Sequence, residues 1–271
     1  FLYDLFFIFF MIKISAVSYL NTIPFISGLE KNLLNSNIDL QLDIPAICAK
    51  KLINGYVDIA LVPIIVIPEL QDYNIVSDYC IGSNGAVDTV CLYSNTPISQ
   101  VENVILDYQS RTSVILLKIL LEEYWKIKPS FIEGKLGYEN NIKENNAALV
   151  IGDRTFKLND KYKYIYDLSA IWKTMTNLPF VFAVWLANKN VSKDFIKTFN
   201  LSLKKGLSNI DENLVKEKAN IINCKDPKDY LNNKICYNLN TKMKEGMALF
   251  LKKYKLLSIS HSLFLFSLHL F

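Results

Sequence analysis

The sequence predicts an α/β protein of two lobes with mainly parallel sheets, and three observations carry that expectation. Short β-type runs alternate with helical patterns through the first two thirds of the chain. Glycines and prolines fall between those runs, at helix stops and strand ends. A continuous apolar stretch, Leu178–Ala187 (LPFVFAVWLA), has the composition of a strand buried on both faces.

Ile12–Tyr19 reads as the first strand. Asn21-Thr22-Ile23-Pro24 follows; an early proline preceded by Asn or Thr signals a helix start, so a helix is expected through Leu34. Pro45–Asn54, closed by Gly55, is a second helix with a glycine stop. Val57–Val62 is a buried strand, with Asp58 at its start and Pro63 at its end. Asn74–Ile81 leads into a glycine-containing turn at Gly82–Gly85 and a strand at Thr89–Ser94. Asn103–Asp107 is a further strand, after which Ser110-Arg111-Thr112-Ser113 opens the apolar helix Val114–Trp125. Ala147–Ile151 ends at Gly152-Asp153, and helical patterns dominate from Ser192 onward. Two strand crossings, near Leu92–Pro97 and near Val184–Asn188, divide the chain into a discontinuous lobe (11–93 plus 185–255) and a second lobe (94–184). The alternative is one doubly wound sheet.

Composition removes several classes of function. The 271 residues are 51% hydrophobic and 21% charged, which suits a globular core and argues against disorder. A net charge of +4, dispersed along the chain, is too mild for a nucleic-acid binder. The five cysteines stand far apart with no CxxC pair, so neither a zinc cluster nor a disulfide framework is expected, and no metal site is assigned. Both histidines, His261 and His269, lie in the last eleven residues, which removes a Ser/His/Asp triad, an HExxH site or a histidine base from the body of the protein. Phe1–Phe10 (FLYDLFFIFF) lacks the features of a signal peptide and is too short to span a bilayer; Met11 is the expected start. The apolar end, 256–271, is expected to be a non-native or poorly ordered extension of a helix that is complete by Lys255. A cytoplasmic protein without membrane contact is the resulting expectation.

In parallel α/β sheets ligands collect beyond the carboxyl ends of strands, where helix starts present free N–H groups and partial positive charge. Two junctions qualify. At the first, Asn21 either caps the helix or offers its amide to a ligand oxygen. The second, Asp107–Ser113, gathers Ser110, Arg111, Thr112 and Ser113 at a helix start suited to a carboxylate or phosphate, although ordinary capping explains Ser110 or Thr112 as well. Only two of the thirty basic residues are arginine, Arg111 and Arg154, and both follow strand ends, where a planar fork has a use that lysine cannot meet. Gly82-Ser83-Asn84-Gly85 lacks the Walker lysine and the GxGxxG spacing, which disfavours nucleotide binding. Thr89 either points a hydroxyl into the same crevice or is a plain strand-edge threonine. Trp172, Phe180, Phe182 and Trp185 read as core.

The motifs carry a resemblance. Val17-Ser18-Tyr19-Leu20-Asn21-Thr22-Ile23-Pro24 is similar to the opening signature of the chorismate dehydratase family, which acts first in the futalosine route to menaquinone. The similarity continues through Asp58–Pro63, Ile81–Val90, Ser110–Ser113, Leu149–Asp153, Asp167-Leu168 and Thr176–Trp185, covering about Met11 to Asn188 in order. It implies a fold like that of type II periplasmic binding proteins, two lobes around a cleft. It also implies loss of water from chorismate to give 3-[(1-carboxyvinyl)oxy]benzoate, with no cofactor. By the resemblance Asn21 and Thr89 are the catalytic side chains, and Ser18, Ser83, Ser110, Arg111, Thr112, Ser113, Gly152 and Asp153 the substrate-binding set. The family commonly has serine where Thr89 stands and glycine where Asn177 stands. No protein general base is identified, and a substrate carboxylate is one acceptor for the ring proton. A homodimer is compatible with this reading. One rival is the 1,4-dihydroxy-6-naphthoate synthase of the same route, whose expected Ser-Pro-Cys-Pro-Asn-Asp opening differs from Ser18-Tyr19-Leu20-Asn21-Thr22. The other is a non-catalytic anionic-solute-binding protein, for which an export signal or lipobox cysteine is expected.

Overall fold

The computed structural model describes residues 11–33, 38–70, 72–140, 142–158 and 161–268, with side chains described up to 257. The predicted first ten residues, and most of the predicted apolar end, therefore lie outside the described side chains. The chain begins with β1 (Ile12–Val17), α1 (Ile23–Leu33), β2 (Ile38–Asp43), α2 (Pro45–Ile53), β3 (Ile59–Pro63) and β4 (Tyr73–Ser83). It continues with β5 (Val90–Ser94), β6 (Asn103–Leu106), α3 (Arg111–Leu120), β7 (Ser130–Glu133), β8 (Asn146–Ile151), β9 (Tyr164–Asp167) and α4 (Leu168–Thr176). Then come β10 (Phe180–Asn188), α5 (Lys193–Ser208), α6 (Glu212–Ile222), the single turn α7 (Pro227–Asp229), β11 (Cys236–Asn238) and α8 (Thr241–Leu268). No described helix is long and apolar enough to cross a membrane.

Two sheets form. The six-stranded one has the order β11-β4-β10-β3-β1-β2, the five-stranded one β7-β6-β8-β5-β9. Both are mixed. The alternation read from the sequence gives the parallel pairs β1–β2, β1–β3, β6–β7 and β6–β8. Antiparallel pairs arise where β10 enters between β3 and β4, where β11 adds beside β4, and where β5 sits between β8 and β9. The chain passes between the sheets at residues 84–89 and again at 168–179, in the segments that precede β5 and β10 rather than within those strands.

The core follows from the apolar runs. All five residues of β3 are buried, and eight of the nine residues from Val181 to Leu186, Leu61, Val62 and Ile59 pack at the sheet centre with no polar side chain among them. Helices α1 and α5 approach so closely that a Cβ on Gly28 would stand 2.2 Å from the Ser202 carbonyl oxygen, and one on Gly206 2.0 Å from that of Pro24. Trp172, Phe180 and Phe250 meet edge to face, Trp172 with its indole N–H donating to the Pro179 carbonyl at 3.3 Å. Helix α8 thereby packs on β10, while its Lys253 pairs with Glu123 in the π turn that follows α3. The helix does not stop at Lys255 but continues to Leu268.

Candidate functional site

A small hollow opens between the two sheets, with a cavity volume of about 60 Å³. Its polar lining comes from Tyr19, Asn21, Thr89, Ser110 and Ser113. Val17, Pro45, Pro63, Ile81, Val87, Val90, Ile151, Phe182 and Ala183 supply apolar walls, and Gly152 completes it. Among the described residues, no Asp, Glu, Lys, Arg or His is part of this lining.

Each polar group is set by its local structure. Residues Leu20–Thr22 form a 3₁₀ turn between β1 and α1 that has no side-chain cap. Asn21 is therefore not the cap. Its Nδ2 donates to the Tyr230 hydroxyl at 3.2 Å and its Oδ1 accepts the Thr22 hydroxyl at 3.1 Å. Thr89, just before β5, lies 2.9 Å from the same Tyr230 oxygen and is buried. Ser110 caps α3 by accepting the Ser113 N–H at 3.2 Å, and its hydroxyl donates to the Ser113 hydroxyl at 3.1 Å. The first N–H groups of such a helix have no intrahelical acceptor and favour negative charge.

A buried carboxylate holds this helix start in place. Asp107 accepts the Gln109 N–H at 2.7 Å, the Tyr138 hydroxyl at 2.8 Å and the Ile151 N–H at 3.0 Å, and it pairs with Arg154. Arg154 also reaches Glu139 and lies over the Tyr108 and Tyr138 rings. One prong of its planar fork, Nη2, is taken by this interior pair. Across the rim, Tyr19 donates to Gln109 Oε1 at 2.5 Å, joining β1's end to the five-stranded sheet. Burial and the nearby Asp107 charge push the Tyr19 phenol well up, so it stays a neutral donor.

The remaining predicted residues lie around the hollow without lining it. Arg111 is half-exposed and forms a two-pronged pair with Glu69, at 2.6 and 3.3 Å. Thr112 is buried and accepts the Ile65 N–H at 3.3 Å. Ser83 meets the Ser169 hydroxyl at 2.5 Å. Asp153 accepts the Leu20 N–H at 3.0 Å and faces Lys218 at 3.2 Å, while Lys218 also donates to the Ser18 carbonyl. Ser18 and Asp153 thus belong to a bridge between the sheets. Asp167 accepts the Val87 and Asp88 N–H groups at 2.8 and 2.7 Å and caps α4, which fixes the segment carrying Thr89. Sequence reasoning missed Tyr19, Gln109 and Tyr230 as site residues. The first two stand inside motifs already singled out, whereas Tyr230 lies in a helical stretch without any motif. Among the described residues no cluster of His, Cys, Asp and Glu could hold a metal ion.

Two sheets joined by two passages around a central hollow define a periplasmic-binding-protein-like fold. The structure of an Archaeoglobus fulgidus protein is similar over 92% of this chain and 98% of its own, with a TM-score of 0.72 at 12% identity. The periplasmic aliphatic sulphonate binding protein SsuA of Escherichia coli is similar over 92% of this chain and 88% of its own, with a TM-score of 0.57 at 14% identity. Within that class, the family model described as "Menaquinone biosynthesis" matches residues 12–255, and the chain belongs to that family. The chorismate dehydratase of Campylobacter jejuni is 28% identical over 252 residues, 90% of this chain and 98% of its own length. That of Thermus thermophilus is 28% identical over 189 residues, 62% of this chain and 69% of its own.

Proposed function

We propose that this protein is a chorismate dehydratase, a hydro-lyase that converts chorismate to 3-[(1-carboxyvinyl)oxy]benzoate. The observation that carries the reading is the meeting of Asn21, Thr89 and the start of α3 in one hollow, in a chain of the menaquinone biosynthesis family. The two sheets act as two lobes that close on the substrate. Ser110, Ser113 and the first amides of α3 take a carboxylate. Asn21 and Thr89 hydrogen-bond the departing hydroxyl, and the apolar walls keep bulk water away from the ring.

In the reaction the ring C–H bond beside the enol ether breaks, its electron pair becomes the new ring double bond, and the neighbouring C–O bond breaks. The ring proton passes through its acceptor to the departing hydroxide, and the two leave as water. Aromatisation supplies driving force, so orientation carries much of the catalysis. Four carboxylates around the hollow are engaged elsewhere: Asp153 with Leu20 and Lys218, Asp88 with Lys234, Asp107 with Arg154, Asp167 with four backbone N–H groups. A carboxylate of the substrate itself is therefore the proton acceptor in this reading.

Incubation of the purified protein with chorismate, followed by chromatography, tests it: the benzoate product accumulates, and Asn21→Ala abolishes it with an unchanged circular dichroism spectrum. Chorismate bound but never converted would instead point to a solute-binding protein, and chorismate neither bound nor converted to the synthase. A cytoplasmic location and a homodimer complete the proposal, to be read by cell fractionation and light scattering.

A further inference from the structure

Tyr230 is a side chain that neither composition nor motif singled out. It stands at the start of a π turn, Tyr230–Lys234, after the proline-initiated turn α7, and such π turns often mark functional positions. It is buried, with its ring edge-on to Phe156 at 5.2 Å between centroids. Its hydroxyl does not line the hollow but lies behind the two polar side chains that do, 3.2 Å from Asn21 Nδ2 and 2.9 Å from Thr89 Oγ1.

Hydrogen-bond direction follows from the donor count. Asn21 Oδ1 already accepts the Thr22 hydroxyl, so the amide turns its N–H toward Tyr230 and the phenol oxygen accepts it. The single phenolic proton is then directed at Thr89 Oγ1. With that oxygen accepting, the proton of Thr89 is left either for the hollow or for the Val87 carbonyl, a long contact at 3.4 Å. Burial pushes the phenol well above its ordinary range, so it remains a neutral donor across working pH.

We propose that Tyr230 is a positioning residue that sets a one-way hydrogen-bond chain, Asn21 to Tyr230 to Thr89, leaving the Thr89 proton free to donate to the hydroxyl that leaves the substrate. This rests on the dehydratase reading above. The chain also explains how threonine serves in a position where its methyl restricts rotation: the Tyr230 donor fixes the oxygen's lone pair and hence the direction of its proton. Tyr230 comes from the C-terminal part of the six-stranded unit, as β11 follows it directly. The chain of donors therefore spans three separate stretches of sequence and is complete only when they are assembled.

The test is a double-mutant cycle on chorismate turnover. Tyr230→Phe lowers kcat about tenfold with KM changed by less than about twofold, the loss of one directed hydrogen bond made in the transition state. In a Thr89→Val background the same change has a clearly smaller further effect, because no Thr89 proton remains to be aimed and only the acceptor of Asn21 Nδ2 is lost. Losses in Tyr230→Phe and Thr89→Val that simply multiply would overturn the proposal, as would a lowered melting temperature with kcat intact. Proton NMR of the unmodified protein reads the direction without substrate and without depending on the folding of a variant. A Tyr230 hydroxyl proton with a cross-peak to the Thr89 methyl supports the chain, and one directed at the Asn21 side chain instead refutes it. Wild-type protein that leaves chorismate unchanged rejects the reaction, while the NMR result still decides the hydrogen-bond chain.

Discussion

Gly152 offers the sharpest test of the site's geometry. It has φ of +70°, and a Cβ built on it would lie 2.6 Å from the Cε2 and Cζ atoms of the Tyr19 ring. Carbon atoms pack best at about 3.5–4.0 Å, so Gly152→Ala forces the ring to move by roughly 1 Å. Two costs add. Alanine in the left-handed region costs about 1–2 kcal/mol. Displacing Tyr19 breaks its hydrogen bond to Gln109, which is worth about 0.5–1.5 kcal/mol. Urea denaturation should show a loss of about 2–3 kcal/mol, and the displaced ring, which lines the hollow, should raise KM for chorismate. Adding Tyr19→Ala to Gly152→Ala removes the collision but not the backbone strain, so it restores no more than the packing part. Gly152→Ala with wild-type stability and unchanged KM would refute the reasoning about this contact.

Other outcomes follow from the same contacts. Arg111→Ala removes an exposed pair with Glu69 that does not line the hollow, so it costs about 0–1 kcal/mol and leaves kcat/KM within about twofold; a large loss of turnover would return Arg111 to the substrate site. Trp172→Ala empties the centre of an aromatic cluster and strands the Pro179 carbonyl, which lowers the unfolding free energy by about 3–5 kcal/mol in a urea titration. Burial raises the Asp153 carboxyl above its ordinary range, against the opposing Leu20 N–H and Lys218. The folded state then holds this proton more tightly than the unfolded chain, so the contribution of Asp153 is fully present below about pH 4 and is lost as pH rises through the raised value. Asp153→Asn should flatten that part of the stability profile, measured by urea melts across the acidic range.

The parts of the fold written in local sequence were legible. Pro45 with Gly55 bounded α2, and the apolar run before Ala187 became β10. Ser110 was readable as a cap because its role depends on a residue three positions away. Strand β2 was missed, because its alternating IDLQLD run is half-buried and carries little apolar signal. The antiparallel pairing of β5 and β10 was hidden for another reason: the switch of sheet occurs in short segments whose side chains say nothing about direction. The site divides in the same way. Asn21, Thr89, Ser110 and Ser113 stood in motifs and converge on the hollow. Arg111 and Thr112 shared a motif with Ser110, but a helix turns each successive residue by about 100°, so they face Glu69 and Ile65 instead. Tyr230 reaches Asn21 from 209 positions away, a proximity that only tertiary packing creates.

Helix α8 touches β10 through Phe250 and the π turn after α3 through Lys253, and so it is fastened to both halves. Like the spine of a book, it is sewn to both covers. Besides α8, the Tyr19–Gln109 clasp, the Asp153 bridge, the Arg111–Glu69 pair and the Ile65–Thr112 bond hold the covers together, so any parting of them has to release each of these.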